Sequence, residues 1–252
     1  MFNIVIPMAG AGSRFSLKGY KEPKPLIRIN DIPMIRLVIE NLKPSSDYRF
    51  IFICQKAHIE QYGLKEKLLD WAPSSEIVML DGMTEGAACT VLMARSFIDN
   101  ESPLIIANCD QYIDADINDF LSVVLSKFYD GLIMTMSAND SKWSYVSSNN
   151  DGLVTKVVEK QIISNEATVG VYAFLKGSSF VKGALKMIQD NERTNNEFYV
   201  APVYNFLIKE EKRIGVYNIG EVDDRMHGLG TPEDLEKFIS LPIHKIATKN
   251  IK

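Results

Sequence analysis

Residues 2–25 read FNIVIPMAGAGSRFSLKGYKEPKP. The run at 2–6 is short and almost wholly apolar, the pattern of a strand buried on both faces. The loop behind it carries Arg14, Lys18, Lys21 and Lys24 against a single Glu22, in a chain whose formal net charge is −4. Gly10 and Gly12 allow a tight turn and a close approach to an anion, and successive N–H groups there can form a nest. Taken alone, the loop is either a flexible turn with solvated lysines or a phosphate cradle. It is not a dinucleotide fingerprint, because Phe15 stands where the third glycine would be, and no Gly-Lys-Ser/Thr follows to make a P-loop.

Working outward, the first half alternates strand and helix patterns. Apolar runs at 2–6, 49–53, 76–80 and 103–107 read as buried strands. Between them, 34–42 has apolar residues at 35, 38, 39 and 42, one face of a helix, with Pro33 at its start. Residues 55–71 and 86–98 also suit helices. Such alternation implies a parallel sheet covered on both faces. The second half has short β-branched or aromatic runs at 131–136, 143–147, 153–160 and 168–175, then helices near 178–190 and 199–210 and a strand at 214–219. Thr231-Pro232-Glu233-Asp234 supplies an N-cap, a first-turn proline and an acid, so a last helix starts there. The expectation is a single domain over 1–252 with a mixed, mainly parallel sheet.

At 252 residues and 46% hydrophobic, the chain can bury a core without disulfides or structural zinc. Cys54, Cys89 and Cys109 form no C-x-x-C pair, so all three read as packing residues in a reducing, cytoplasmic compartment. No apolar stretch approaches the roughly 20 residues of a membrane span. No signal peptide is visible, and the acidic balance argues against nucleic acid. The basic tail 245–252 reads as a frayed end.

Ligands of parallel sheets sit beyond the carboxyl ends of the strands, where the 7–25 loop leaves the first one. At 103–116, PLIIANCDQYIDAD delivers Asp110 at another such end. A carboxylate there either holds Mg²⁺ shared with substrate phosphates or caps a turn. Only His58, His227 and His244 are present, and there is no evident catalytic triad.

The stretch MAGAGSRF…KEPKPLIRINDIPMI resembles the signature of sugar-phosphate nucleotidyltransferases. The resemblance implies a GT-A-like, Rossmann-related three-layer α/β/α sandwich, with residues 1–130 binding nucleotide and 131–252 binding acceptor. It also implies transfer of a nucleotide from a nucleoside triphosphate to a small phosphorylated acceptor, with Mg²⁺ and release of pyrophosphate. Arg14 would grip the departing phosphates, Lys24 would bridge the reacting ones, and Asp110 would bind the metal. Physics supports clustered cations here: two unit charges 4 Å apart repel by about 4 kcal/mol at an effective dielectric of 20.

The family's second metal carboxylate belongs in a D-x-G-T segment, but this chain has Gly228-Leu229-Gly230-Thr231. Asp224 is the substitute expected, with Asp223 and a water as alternatives. The segment TEGAACTVL (84–92) matches the base-reading stretch, with Cys89 in the place of the glutamine of uridylyl- and thymidylyl-transferring members. Its loss leans towards CTP, read by Ala9, Gly10, Gly12, Ser13, Gly86, Ala88 and Cys89. VVEKQ (157–161) and NNEFYVAPVYN (195–205) resemble acceptor-side segments, making Glu159, Lys160, Asn196 and Glu197 substrate-binding candidates. Trp143 and Tyr145 wall the pocket or pack the core. The chain looks most like short members of capsule and surface-glycan synthesis, whose acceptors include phosphocholine, phosphoglutamine and sugar phosphates; whether it acts as a single chain or a homo-oligomer is left open by the sequence. Three rival readings stand beside this one. They are UTP or dTTP as donor, a GT-A glycosyltransferase using Asp114 and Asp116, and a non-catalytic nucleotide-binding regulator.

Overall fold

The computed structural model describes residues 1–126 and 128–251. Its first half runs β1 (Phe2–Pro7), α1 (Ser13–Leu17), β2 (Arg28–Ile29), β3 (Ile32–Pro33) and α2 (Met34–Leu42). It continues through β4 (Tyr48–Gln55), α3 (Lys56–Tyr62), α4 (Leu64–Trp71), β5 (Glu76–Leu80), α5 (Ala87–Leu92) and α6 (Arg95–Ile98). Then come β6 (Leu104–Ala107), β7 (Gln111–Ile113) and α7 (Ile117–Leu125). The second half runs β8 (Gly131–Ser137), β9 (Ser144–Ser148), β10 (Val154–Glu159), β11 (Glu166–Phe174), α8 (Gly177–Gln189) and α9 (Tyr204–Lys209). It closes with β12 (Ile214–Glu221), β13 (Met226–Gly228), α10 (Pro232–Ser240) and α11 (Ile243–Thr248).

Nine strands form one sheet, in the order β10-β9-β11-β6-β1-β4-β5, with β8 pairing β11 and β12 pairing β8. Only β10 and β11 run against the other seven. Strand residues point alternately to the two faces, so one strand feeds two cores. Ile4, Ile6, Phe50, Phe52 and Ile105 pack on one face. Val5, Ile51, Ile53, Leu104 and Ile106 pack on the other. Helices cover both, which makes the three-layer α/β/α sandwich. A third, smaller core gathers Phe15, Met34, Tyr112, Leu229 and Phe238, and it fastens the loop after β1 to the C-terminal helices.

Several expectations need correction. Residues 76–80 form the sheet's edge and are only partly covered, with Met79 55% exposed, because nothing flanks β5 beyond β4 among the described residues. The helix expected over 55–71 is two, parted by Gly63 at φ 58. The one expected over 86–98 breaks at Met93–Ala94, where bonds to Thr90 and Val91 tighten the turn. The tail is not frayed: α11 occupies 243–248, with His244 buried and Ile251 against the third core. Cys54 and Cys109 are buried as expected, while Cys89 is half-buried. The Thr231 cap forms, its hydroxyl oxygen accepting from the Asp234 N–H at 3.1 Å. Among the described residues, no helix is long and apolar enough to cross a membrane.

Candidate active site

The carboxyl ends of β1 and β6 open into a cleft of about 440 Å³. Pro7 to Gly10 leave β1 along one wall, and Asn108, Cys109 and Asp110 leave β6 at the floor. Gly12 sits at φ 62, a left-handed conformation that glycine adopts without strain. It turns the chain back so that Lys24, in a short 3-10 turn with Pro25, reaches the floor. There the Lys24 Nζ donates to Asp110 Oδ2 at 2.8 Å, with each side chain 21% exposed. Burial works against the Lys24 ammonium. The Asp110 carboxylate outweighs it and holds Lys24 above its ordinary pKa, while the charge of Arg14 opposes.

The β13–β7 ladder lays residues 226–228 beside 111–113, and the Leu229 N–H donates to the Asp110 carbonyl at 2.8 Å. Leu229 points into the third core. Gly230 lies against the Asp110 carboxylate: a Cβ there would stand 2.7 Å from Oδ2. A Cβ at Gly228 would meet the Asp234 carboxylate, whose Oδ2 would lie 3.7 Å away. Across the cleft lie Lys142, Trp143, Ser144, Glu159, Glu197 and Tyr199. Ser144 donates its hydroxyl proton to buried Glu159. Burial pushes the Glu159 carboxyl above its ordinary range, and the Ser144 bond only partly offsets this.

A family model described as "Nucleotidyl transferase" matches residues 4–209, which takes in both sides of this cleft. The chain belongs to the nucleotidyl transferase family. The bifunctional protein GlmU of Methanocaldococcus jannaschii is 25% identical over 248 residues, which are 97% of this chain and 55% of that protein. The chain spans about half the length of the curated relatives it matches. Three solved structures share the fold. A nucleoside-diphosphate-sugar pyrophosphorylase from Vibrio cholerae RC9 has a TM-score of 0.81 at 23% identity, covering 94% of this chain and 100% of that one. The inositol-1-phosphate CTP transferase from T. maritima has 0.74 at 16%, covering 99% and 97%. A UDP-glucose pyrophosphorylase complexed with UDP-glucose has 0.73 at 17%, covering 95% and 97%.

Of the residues expected in the site, Ala9, Gly10, Lys24, Gly86, Asp110, Glu159 and Glu197 line the cleft. Others do not. Arg14 is exposed on α1 and has no ion-pair partner among the described residues, and Ser13 opens that helix. Ala88 is buried and donates its N–H to the Phe198 carbonyl at 2.9 Å. Cys89 is half-buried, packs against the core and lies outside the cleft lining, and burial raises its thiol pKa. Tyr145 is fully buried, and its hydroxyl bonds the N–H and carbonyl of Asp140, bracing the loop that presents Lys142 and Trp143. Lys160 turns its ammonium onto Tyr199, donating to the hydroxyl at 2.6 Å. Asn196 is an exposed turn residue at φ 64 whose carbonyl accepts from Arg193.

Asp224 sits exposed in the turn before β13, outside the cleft lining, and so is not placed as a second metal ligand. Asp223, the alternative, pairs with Lys237 at 2.6 Å. Asp116 caps α7 by accepting the Asn118 N–H, and Asp114 and Asp116, the residues of the glycosyltransferase reading, both lie outside the cleft lining. The sequence reading missed Asn108, Thr84, Thr90, Lys142 and Tyr199, all in the lining. Asn108 could have been found, since it stands two residues before Asp110 at the same strand end.

Proposed function

We propose that this chain transfers CMP from CTP to a small phosphorylated acceptor and releases pyrophosphate, supplying an activated building block for surface-glycan synthesis in the cytoplasm. The Lys24–Asp110 pair carries this reading, because it joins two motifs 86 residues apart at 2.8 Å on the cleft floor. Residues 1–130 would bind the nucleotide and 131–252 the acceptor, either in a single chain or in a homo-oligomer. The nucleotide lies along residues 9–12 and 84–90, with its phosphates towards Lys24. The acceptor, a phosphocholine, phosphoglutamine or sugar phosphate, lies against Glu159, Glu197 and Tyr199.

An oxygen of the acceptor phosphate attacks the α-phosphorus in line. A new P–O–P bond forms as the bond to pyrophosphate breaks, and both electrons leave on pyrophosphate. The acceptor oxygen is already ionised near neutral pH, so no strong general base is needed, in keeping with the lack of histidine in the cleft lining. Lys24 screens the repulsion between the two phosphate groups, and positioning plus charge neutralisation supplies most of the catalysis. Arg14 meets the charge gathering on the departing pyrophosphate.

Asp110 is the one carboxylate, a hard oxygen ligand, that the cleft floor offers Mg²⁺. Its Oδ2 is bonded to Lys24, and no cluster of three metal-ligating side chains stands among the described residues, so substrate phosphates and water would complete the shell. Asp110 would hold the ion, which when bound neutralises phosphate charge. The test is pyrophosphate release with Mg²⁺, crossing CTP, UTP, dTTP, ATP and GTP against phosphorylated sugars, phosphocholine and phosphoglutamine. Release with CTP and one acceptor supports the proposal. Silence across the panel in protein that binds nucleotide contradicts it.

A further inference from the structure

The two ends of the cleft differ in chemistry. The acceptor end carries Lys142, Glu159 and Glu197. The end bounded by residues 7–10 and 83–90 has no charged side chain in its described lining, and only Thr84 and Thr90 there are polar. A nucleobase is uncharged and planar, and it needs apolar walls with a few placed hydrogen-bonding groups. It therefore belongs at the second end.

The two hydroxyls face each other at 2.6 Å. Each also reaches the Gly86 carbonyl, Thr84 Oγ1 at 3.0 Å and Thr90 Oγ1 at 3.2 Å. That carbonyl accepts the Thr90 N–H as well, at 3.0 Å. A carbonyl has two lone pairs and each hydroxyl one proton. The Thr90 N–H takes one carbonyl lone pair, so only one hydroxyl proton has the other. The second hydroxyl then donates to the first. Whichever donates to Gly86, both protons are used within the triangle of oxygens, and the pair offers only lone pairs to the cleft. Gly86 can hold this position because it is a glycine, at φ +127 and packed on the Phe198 backbone.

We infer that Thr84 and Thr90 read the exocyclic group of the base and select cytosine over uracil and thymine. The cytosine C4 amine donates protons and matches the lone pairs. The C4 carbonyl of uracil or thymine only accepts, so it faces lone pairs until one hydroxyl gives up its bond inside the triangle and turns its proton outward, at the cost of that bond. This deepens the nucleotidyl-transfer reading and rests on it.

Isothermal titration with CTP and with UTP tests the inference on wild type, on the Thr84→Val/Thr90→Val double variant and on the Thr84→Ser/Thr90→Ser double variant. Circular dichroism shows whether each is folded. Wild type is expected to bind CTP at least about tenfold tighter than UTP, as a site built to receive one hydrogen-bond pattern rejects its inverse. The valine pair should bring the two within about threefold, mainly by weakening CTP, and the serine pair should restore the difference. Wild-type selectivity needs no variant: equal affinity for CTP and UTP overturns the inference and leaves nucleotidyl transfer standing. Persistent tenfold preference in a folded valine pair also overturns it. Binding of neither nucleotide overturns both this inference and the function beneath it.

Discussion

At the scale of single residues, the site turns on the bond between Lys24 and Asp110 on the cleft floor. Replacing Lys24 by alanine should cut pyrophosphate release at least about tenfold, since loss of one preorganised electrostatic contact costs that much or more. The melting temperature should fall as well, because both side chains are only 21% exposed and the change leaves Asp110 unpaired, so circular dichroism at the assay temperature must show the variant folded. Unchanged turnover would remove Lys24 from the mechanism. Glu159 gives a pH-dependent test. Burial raises its folded-state pKa, so the ionised form costs stability at neutral pH, and that cost disappears as pH falls towards the ordinary value of 4.5. Glu159→Gln should melt higher than wild type at pH 7, with the gap closing near pH 4.5, while losing activity. A gap independent of pH would contradict this.

Lys24 and Asp110 were legible because each sits in a motif whose spacing is fixed by a strand end. Thr84 and Thr90 were not. They are six residues apart and meet only because the chain doubles at Gly86, a geometry that no sequence period encodes. The same holds for Cys89: the turn of α5 aims Thr90 and Ala87 at the cleft and Cys89 at the core, a choice of face the segment's small residues do not reveal.

At the scale of elements, the segment before α5 is fixed by a backbone clasp. The Phe198 N–H donates to the Glu85 carbonyl at 2.8 Å, and the Ala88 N–H donates to the Phe198 carbonyl at 2.9 Å. A Cβ on Gly86 would stand 2.5 Å from the Phe198 nitrogen and oxygen. Gly86→Ala should therefore cost roughly 2–4 kcal/mol from backbone strain and overpacking together. Thermal melting and CTP binding should both fall, and wild-type values for either would contradict the clasp. The strands and the capped α10 were readable from alternation and from Thr231-Pro232. The breaks within predicted helices were harder, since Gly63 can sit inside a helix at modest cost and only its left-handed φ parts α3 from α4. The β13–β7 ladder was invisible because three-residue strands carry no period, yet it brings Gly230 to Asp110.

At the scale of the whole molecule, one sheet carries both sides of the cleft. β1 and β6 run parallel, while β11 lies antiparallel beside β6 and carries Thr168, Gly170 and Tyr172 into the lining. The alternation of strand and helix made the first half plain. The second half was readable as strands of the same mixed sheet but not in its strand order, because antiparallel pairing is set by contacts distant in sequence. In the proposed reaction the donor and acceptor phosphates would meet over this continuous floor, with attack at the α-phosphorus. The direct measurement is to follow CTP labelled with ³²P at the α or the γ position, with Mg²⁺ and the acceptor found active. The account predicts α-label in a nucleotide-linked acceptor and γ-label in pyrophosphate. Transfer of γ-label to the acceptor, or α-label released as free CMP alone, would contradict it.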